Sequence, residues 1–80
     1  MIKVRVEYFA TFKEQSGCDF EEIATELKSV MQLFEFISKK YNFSDSVKNC
    51  KVAINGNLVD WSSNISKGDT IFFFPPVAGG

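Results

Sequence analysis

The chain contains no histidine and only two cysteines, Cys18 and Cys50. Without imidazole there is no Ser–His or Cys–His dyad and no imidazole metal ligand. The two thiols do not form a metal-ligand spacing. A reducing cytosol disfavours a disulfide between them, so both are expected to be free. Nothing in the sequence around Cys18 marks a reactive thiol, which argues against a side-chain persulfide. Glycine is sparse too: Gly17, Gly56 and Gly68 stand alone as turn residues, and no phosphate-cradling loop exists. Neither sign of charge dominates, with nine Lys and Arg against ten Asp and Glu and a formal net charge of -1. That balance leaves no electrostatic footprint for nucleic acid or an anionic membrane. No stretch approaches the ~18 apolar residues of a membrane span. The opening MIKVRVEYF alternates where a signal peptide would run apolar. The absences together predict a cytoplasmic protein with no metal, no nucleic acid and no membrane partner.

What the sequence does have is aromatic side chains: nine Phe, two Tyr and one Trp among 80 residues. A domain this small buries only about 60% of its unfolded surface, so its core is marginal. Each buried ring removes roughly 150–250 Å² from water, and a few rings suffice as anchors. The expected organisation is one domain over residues 1–74 with a projecting tail over 75–80.

Ile2, Val4, Val6 and Tyr8 alternate with Lys3, Arg5 and Glu7, the period of a strand with one wet face. Thr11 to Cys18 reads as a polar connection, followed by a weaker strand around Phe20–Thr25 that pairs back as a hairpin. In that strand Glu21 and Glu22 point to opposite faces, which predicts a solvated edge instead of an acid–base pair. Ser29 and Gln32 have capping-box spacing and open the one clear helix. Val30, Leu33, Phe34, Ile37 and Tyr41 form its apolar stripe, Lys39 and Lys40 suit its last turn, and Asn42 is a plausible stop. Ser44–Asn49 is expected to be loop or a short helical turn. Val52 and Ile54 begin a third strand, Asn55-Gly56 turns it, and Leu58 and Val59 return. Trp61 to Ser66 connects to a tight turn at Lys67-Gly68-Asp69 and a last strand, Thr70–Phe74, ended by Pro75-Pro76. The order predicts an α+β fold, a mixed sheet with one main helix on one face. A right-handed crossover sets the first and last strands side by side and parallel.

Strand alternation also predicts a surface. If Ile2, Val4 and Val6 face the helix, Phe9 falls on the opposite face with Lys3, Arg5 and Glu7. Ile71 and Phe73 then face the core, and Phe72 and Phe74 share the outer face with Phe9. Leu58 extends the patch. A contiguous exposed aromatic patch marks a partner interface, whereas scattered exposed apolar residues mean little.

The end of the chain, Phe72-Phe73-Phe74-Pro75-Pro76-Val77-Ala78-Gly79-Gly80, is the unusual part. Two prolines stiffen the exit, Val77 and Ala78 offer modest apolar contacts, and Gly79-Gly80 can enter a narrow slot. A stiff stem with a thin tip suits delivery of the Gly80 carboxylate into another protein's active site.

With this ending, the whole chain resembles the small subunit of molybdopterin synthase, within the ubiquitin-like (β-grasp) sulfur carriers. Ile2-Lys3-Val4, Phe9-Ala10, Val52-Ala53-Ile54-Asn55 and Gly68-Asp69 also fit, and Phe73 to Gly80 is the specific part. Where family members often have Arg after Phe9, this chain has Lys13, which cannot reproduce a bidentate guanidinium. The resemblance implies that a ubiquitin-activating-like adenylyltransferase uses ATP to adenylate Gly80. A persulfide-bearing sulfur donor then converts it to a thiocarboxylate. It further implies sulfur transfer to a cyclic pyranopterin precursor in the large subunit of a heterotetrameric synthase. In that scheme the chain binds no cofactor of its own, the catalytic side chains belong to its partners, and Lys13 joins Phe9, Leu58, Phe72 and Phe74 at the interface. The alternatives are a ubiquitin-like protein modifier joined through Gly80, or a sulfur carrier for thiamin or tRNA thiolation.

Overall fold

The computed structural model describes residues 1–76. Five strands form one mixed sheet: β1 (Ile2–Tyr8), β2 (Phe20–Thr25), β3 (Lys51–Ile54), β4 (Asn57–Val59) and β5 (Thr70–Phe74). Their order across the sheet is β2-β1-β5-β3-β4. β1 and β5 are parallel neighbours, with Tyr8 beside Phe73, and the other pairings are antiparallel. This is the mixed sheet with parallel first and last strands that the element order predicts, and it is the β-grasp fold that the resemblance implies.

The long helix, α2 (Val30–Tyr41), begins on the expected capping box. The Ser29 hydroxyl accepts from the Gln32 N–H at 3.2 Å, and the Gln32 side chain accepts from the Ser29 N–H at 3.3 Å. Asn42 closes it in the left-handed conformation. Val30, Leu33, Phe34 and Ile37 are buried, and they meet Val4, Val6, Ile71 and Phe73 from the sheet. Trp61 stacks on Phe73 with ring centroids 5.9 Å apart, so the loop after β4 roofs one end of the core. The Asn55-Gly56 hairpin has both residues at positive φ, as a two-residue turn matched to sheet twist requires. The Ser44–Asn49 stretch contains a 3-10 turn at Val47–Asn49. Both cysteines are free thiols, and burial pushes the Cys50 pKa up to about 11. Among the described residues, no helix is long and apolar enough to cross a membrane.

Two expectations need correction. Thr11–Cys18 is not a plain polar connection: Thr11–Ser16 forms a short helix, α1, capped by left-handed Gly17. Its single large apolar residue, Phe12, is fully buried and stacks on Phe43 at 4.5 Å. One ring in six residues carries no periodicity, so the sequence pattern could not separate this helix from loop. The second correction is Glu21. Glu22 is exposed as a solvated edge residue should be, but the Glu21 side chain is only 20% exposed. Its Oε2 accepts hydrogen bonds from the phenols of Tyr8 and Tyr41, both at 2.6 Å, and Lys40 Nζ lies 3.5 Å from Oε1. This clamp ties the edge strand β2 to β1 and to the end of α2. Burial pushes the Glu21 carboxyl up, but the bonds from Tyr41 and Tyr8 and the Lys40 charge outweigh it and hold it low.

Candidate functional site

The face of the sheet turned away from α2 is assembled by strand alternation. On β5, Ile71 and Phe73 are fully buried while Phe72 and Phe74 stay partly exposed on the other side. On β1, Val4, Val6 and Tyr8 turn inward, and Lys3, Arg5 and Glu7 outward. Phe9, just past β1, lies parallel to both outward rings of β5, with centroids 5.0 Å from Phe74 and 6.0 Å from Phe72. Phe72 and Phe74 themselves stack at 6.4 Å.

Two further strands complete a shallow apolar groove. Ala53 pairs with Phe72 on one side and Leu58 on the other. Although Ala53 points to the outer face it is only 4% exposed, because these larger neighbours cover it. The groove is lined by Phe9, Ala53, Gly56, Leu58, Phe72 and Phe74. Leu58 is 71% exposed and Phe9 37%, so water still covers much of the apolar surface. Ala53 and Gly56 escaped sequence reasoning because small residues carry no burial signal of their own. Their part is to leave room between the rings and Leu58.

The backbone aims Phe9 into this patch. Ala10 follows at φ 50, ψ -121, a conformation that side-chain-bearing residues avoid. The chain thereby reverses into α1, with the Phe9 carbonyl accepting from the Phe12 N–H at 3.0 Å. Lys13 does not line the groove: its Nζ pairs with Asp19 Oδ1 at 3.0 Å on the surface of α1. Phe74 is the last residue of β5, so the patch stands at the root of the segment after it. Pro75 is partly buried and Pro76 exposed. The site positions Val77, Ala78, Gly79 and Gly80 lie outside the described residues. Among the described residues no cluster of His, Cys, Asp or Glu could hold a metal. The arrangement is a partly exposed apolar groove, floored by Ala53 and walled by aromatic rings and Leu58.

Comparison with known proteins gives this surface its context. The sequence model of the ThiS family matches residues 6–80. The molybdopterin synthase sulfur carrier subunit of Escherichia coli (strain K12) is 30% identical over 80 residues, covering 96% of this chain and 99% of that protein. A Pyrococcus furiosus structure assigned as molybdopterin converting factor, subunit 1, superposes with a TM-score of 0.78 at 34% identity. That match covers 96% of this chain and 100% of the other. A chain of the complex of subunits 1 and 2 of the molybdopterin-converting factor from Helicobacter pylori 26695 superposes at 0.69 with 26% identity. There the coverage is 99% and 100%.

Proposed function

The chain belongs to the ThiS family, and from that premise we propose that it is the sulfur-carrier subunit of a molybdopterin synthase. The observation that carries the reading is the groove of Phe9, Leu58, Phe72 and Phe74 at the root of the segment leading to Gly79-Gly80. A surface of this kind docks a partner, and the segment beyond it then reaches the partner's active site. The relatives are sulfur-carrier subunits, and one neighbour is a complex with the second subunit of the converting factor, so the partner is the large synthase subunit.

The reacting group is the Gly80 carboxylate. A carboxylate is a poor electrophile, so the first step joins it to AMP, with ATP bound by an adenylyltransferase and pyrophosphate leaving. The outer sulfur of a persulfide donor then displaces AMP to give an acyl disulfide, and a second thiol reduces its S–S bond, leaving the Gly80 thiocarboxylate and a disulfide on the donor side. In the large subunit this sulfur attacks the cyclic pyranopterin precursor, and hydrolysis returns the carboxylate. The carrier is thus a cosubstrate and holds no cofactor itself. Its proposed compartment is the cytoplasm, where the chain's thiols stay reduced.

Deleting Gly80 tests the reading. Molybdopterin synthesis reconstituted with the activating enzyme, sulfur donor and large subunit should be abolished, while the thermal melt of the shortened chain matches the full one. Sustained synthesis by the shortened chain would overturn the reading.

A further inference from the structure

Phe20 is 46% exposed, and the groove does not use it. It lies on β2 directly across from Glu7, whose other neighbour is Phe72. Phe20, Glu7, Phe72, Ala53 and Leu58 therefore form one cross-strand row through all five strands. Arg5 leans onto this row. Its guanidinium carbon stands 3.7 Å from the Phe20 ring centroid, and its Nε donates to Glu7 Oε2 at 3.2 Å.

These two contacts hold the guanidinium over the ring on one side and against the Glu7 carboxylate on another. The hydrogen bonds among the described residues engage only Nε, which leaves both terminal nitrogens without an acceptor. Glu22 is directly across from Arg5 but exposed, and it forms no ion pair with it. A partner that covers Phe72 and Leu58 extends along the same row and takes water from the Arg5–Glu7 pair. Desolvating a charge with open donors is costly unless the partner supplies acceptors. Two terminal nitrogens held in one plane match a carboxylate in bidentate geometry, and the aromatic face beneath adds a cation–π contact.

We propose that Arg5, held over the Phe20 ring, is the carboxylate-reading arm of the docking face. It meets an Asp or Glu side chain of the partner seated on Phe9, Phe72, Phe74 and Leu58. The inference rests on reading that groove as the docking site for the large synthase subunit. It adds a polar, partner-selecting half to a surface that is otherwise apolar.

Titration calorimetry of the folded carrier against the cognate large subunit tests it, with thermal melts to verify folding of each variant. Arg5→Lys keeps the charge and loses the fork, and should weaken affinity about tenfold. Phe20→Leu keeps an apolar side chain and loses the ring face, and should weaken it about threefold. The double variant should lose less than the product of the two, because both act through one contact. Wild-type affinity for Arg5→Lys, alongside weakened binding by Phe74→Ala, overturns this inference and leaves the docking face standing. A loss with Arg5→Lys that Phe20→Leu does not share also overturns it. If Phe74→Ala too binds like the wild type, the docking face itself is misplaced and both readings fall.

Discussion

Phe73 and Phe74 are adjacent in sequence, yet they serve opposite faces of the sheet. Phe73 is fully buried against Phe34 and Trp61, whereas Phe74 lies partly exposed against Phe9. Phe73→Ala should cost about 3–5 kcal/mol of folding stability, read from a denaturant melt. Phe74→Ala should leave the melt nearly unchanged and weaken large-subunit binding by roughly thirtyfold, the scale of an interface anchor. An early melt for Phe74→Ala with normal binding would mean the faces are reversed. Alternation made this division legible in the sequence, because a strand leaves each side chain only two directions. Ala10 was not legible beyond its place in the Phe9-Ala10 exit, since its positive φ falls on an alanine and not on the Gly or Asn that marks such a position. Its positive φ and ψ of -121 cost about 1–3 kcal/mol for a residue with a side chain. Glycine relieves that strain but adds about 0.4–1 kcal/mol of unfolded-state freedom. Ala10→Gly should therefore raise the denaturant midpoint, and a lowered midpoint would contradict the strained geometry.

Among the elements, β1, α2, the Asn55-Gly56 hairpin and β5 each announce themselves by a period or a turn pair that one physical rule explains. The capping box at Ser29 and Gln32 is the clearest case, because two side chains at fixed spacing answer two free N–H groups. Two local features escaped. α1 is too short to show a helical period, and its purpose, seating Phe12 under Phe43, depends on a contact far away in sequence. Glu21 is held by Tyr8 and Tyr41, again at long range, so its charged neighbour Glu22 suggested a wet edge for both. The clamp has a pH signature. Its hydrogen bonds depress the Glu21 pKa below the ordinary 4.5, so the carboxylate's contribution is fully present above that value. It is lost as pH falls through the depressed folded-state value. Stability followed by thermal melts should fall off in that acid range for the wild type. Glu21→Gln should lower stability at neutral pH and flatten the acid limb. An unchanged acid limb in that variant would place the acid sensitivity elsewhere.

At the scale of the molecule, the fold does two jobs with one sheet. The inner face carries the buried side chains that hold α2. The outer face leaves Phe9, Phe72, Phe74 and Leu58 at least partly exposed, as the proposed docking surface. Parallel pairing of β1 and β5 makes this possible, because it brings Phe9 and Phe74 to the same end of the sheet. The topology and the composition of the patch were both readable from element order and alternation. The groove floor at Ala53 and the position of Lys13 were not, because they depend on which neighbours each residue meets. The central claim is that the carrier's chemistry resides on the Gly80 carboxylate and on no side chain. Intact-mass spectrometry of the Cys18→Ser, Cys50→Ser double variant, after incubation with the activating enzyme, ATP, a persulfide donor and a reducing thiol, tests it most directly. The account predicts a mass gain equal to one oxygen exchanged for one sulfur, localised to the C-terminal peptide. A well-folded double variant that gains no sulfur, while the wild type does, would contradict it and return the sulfur to a cysteine.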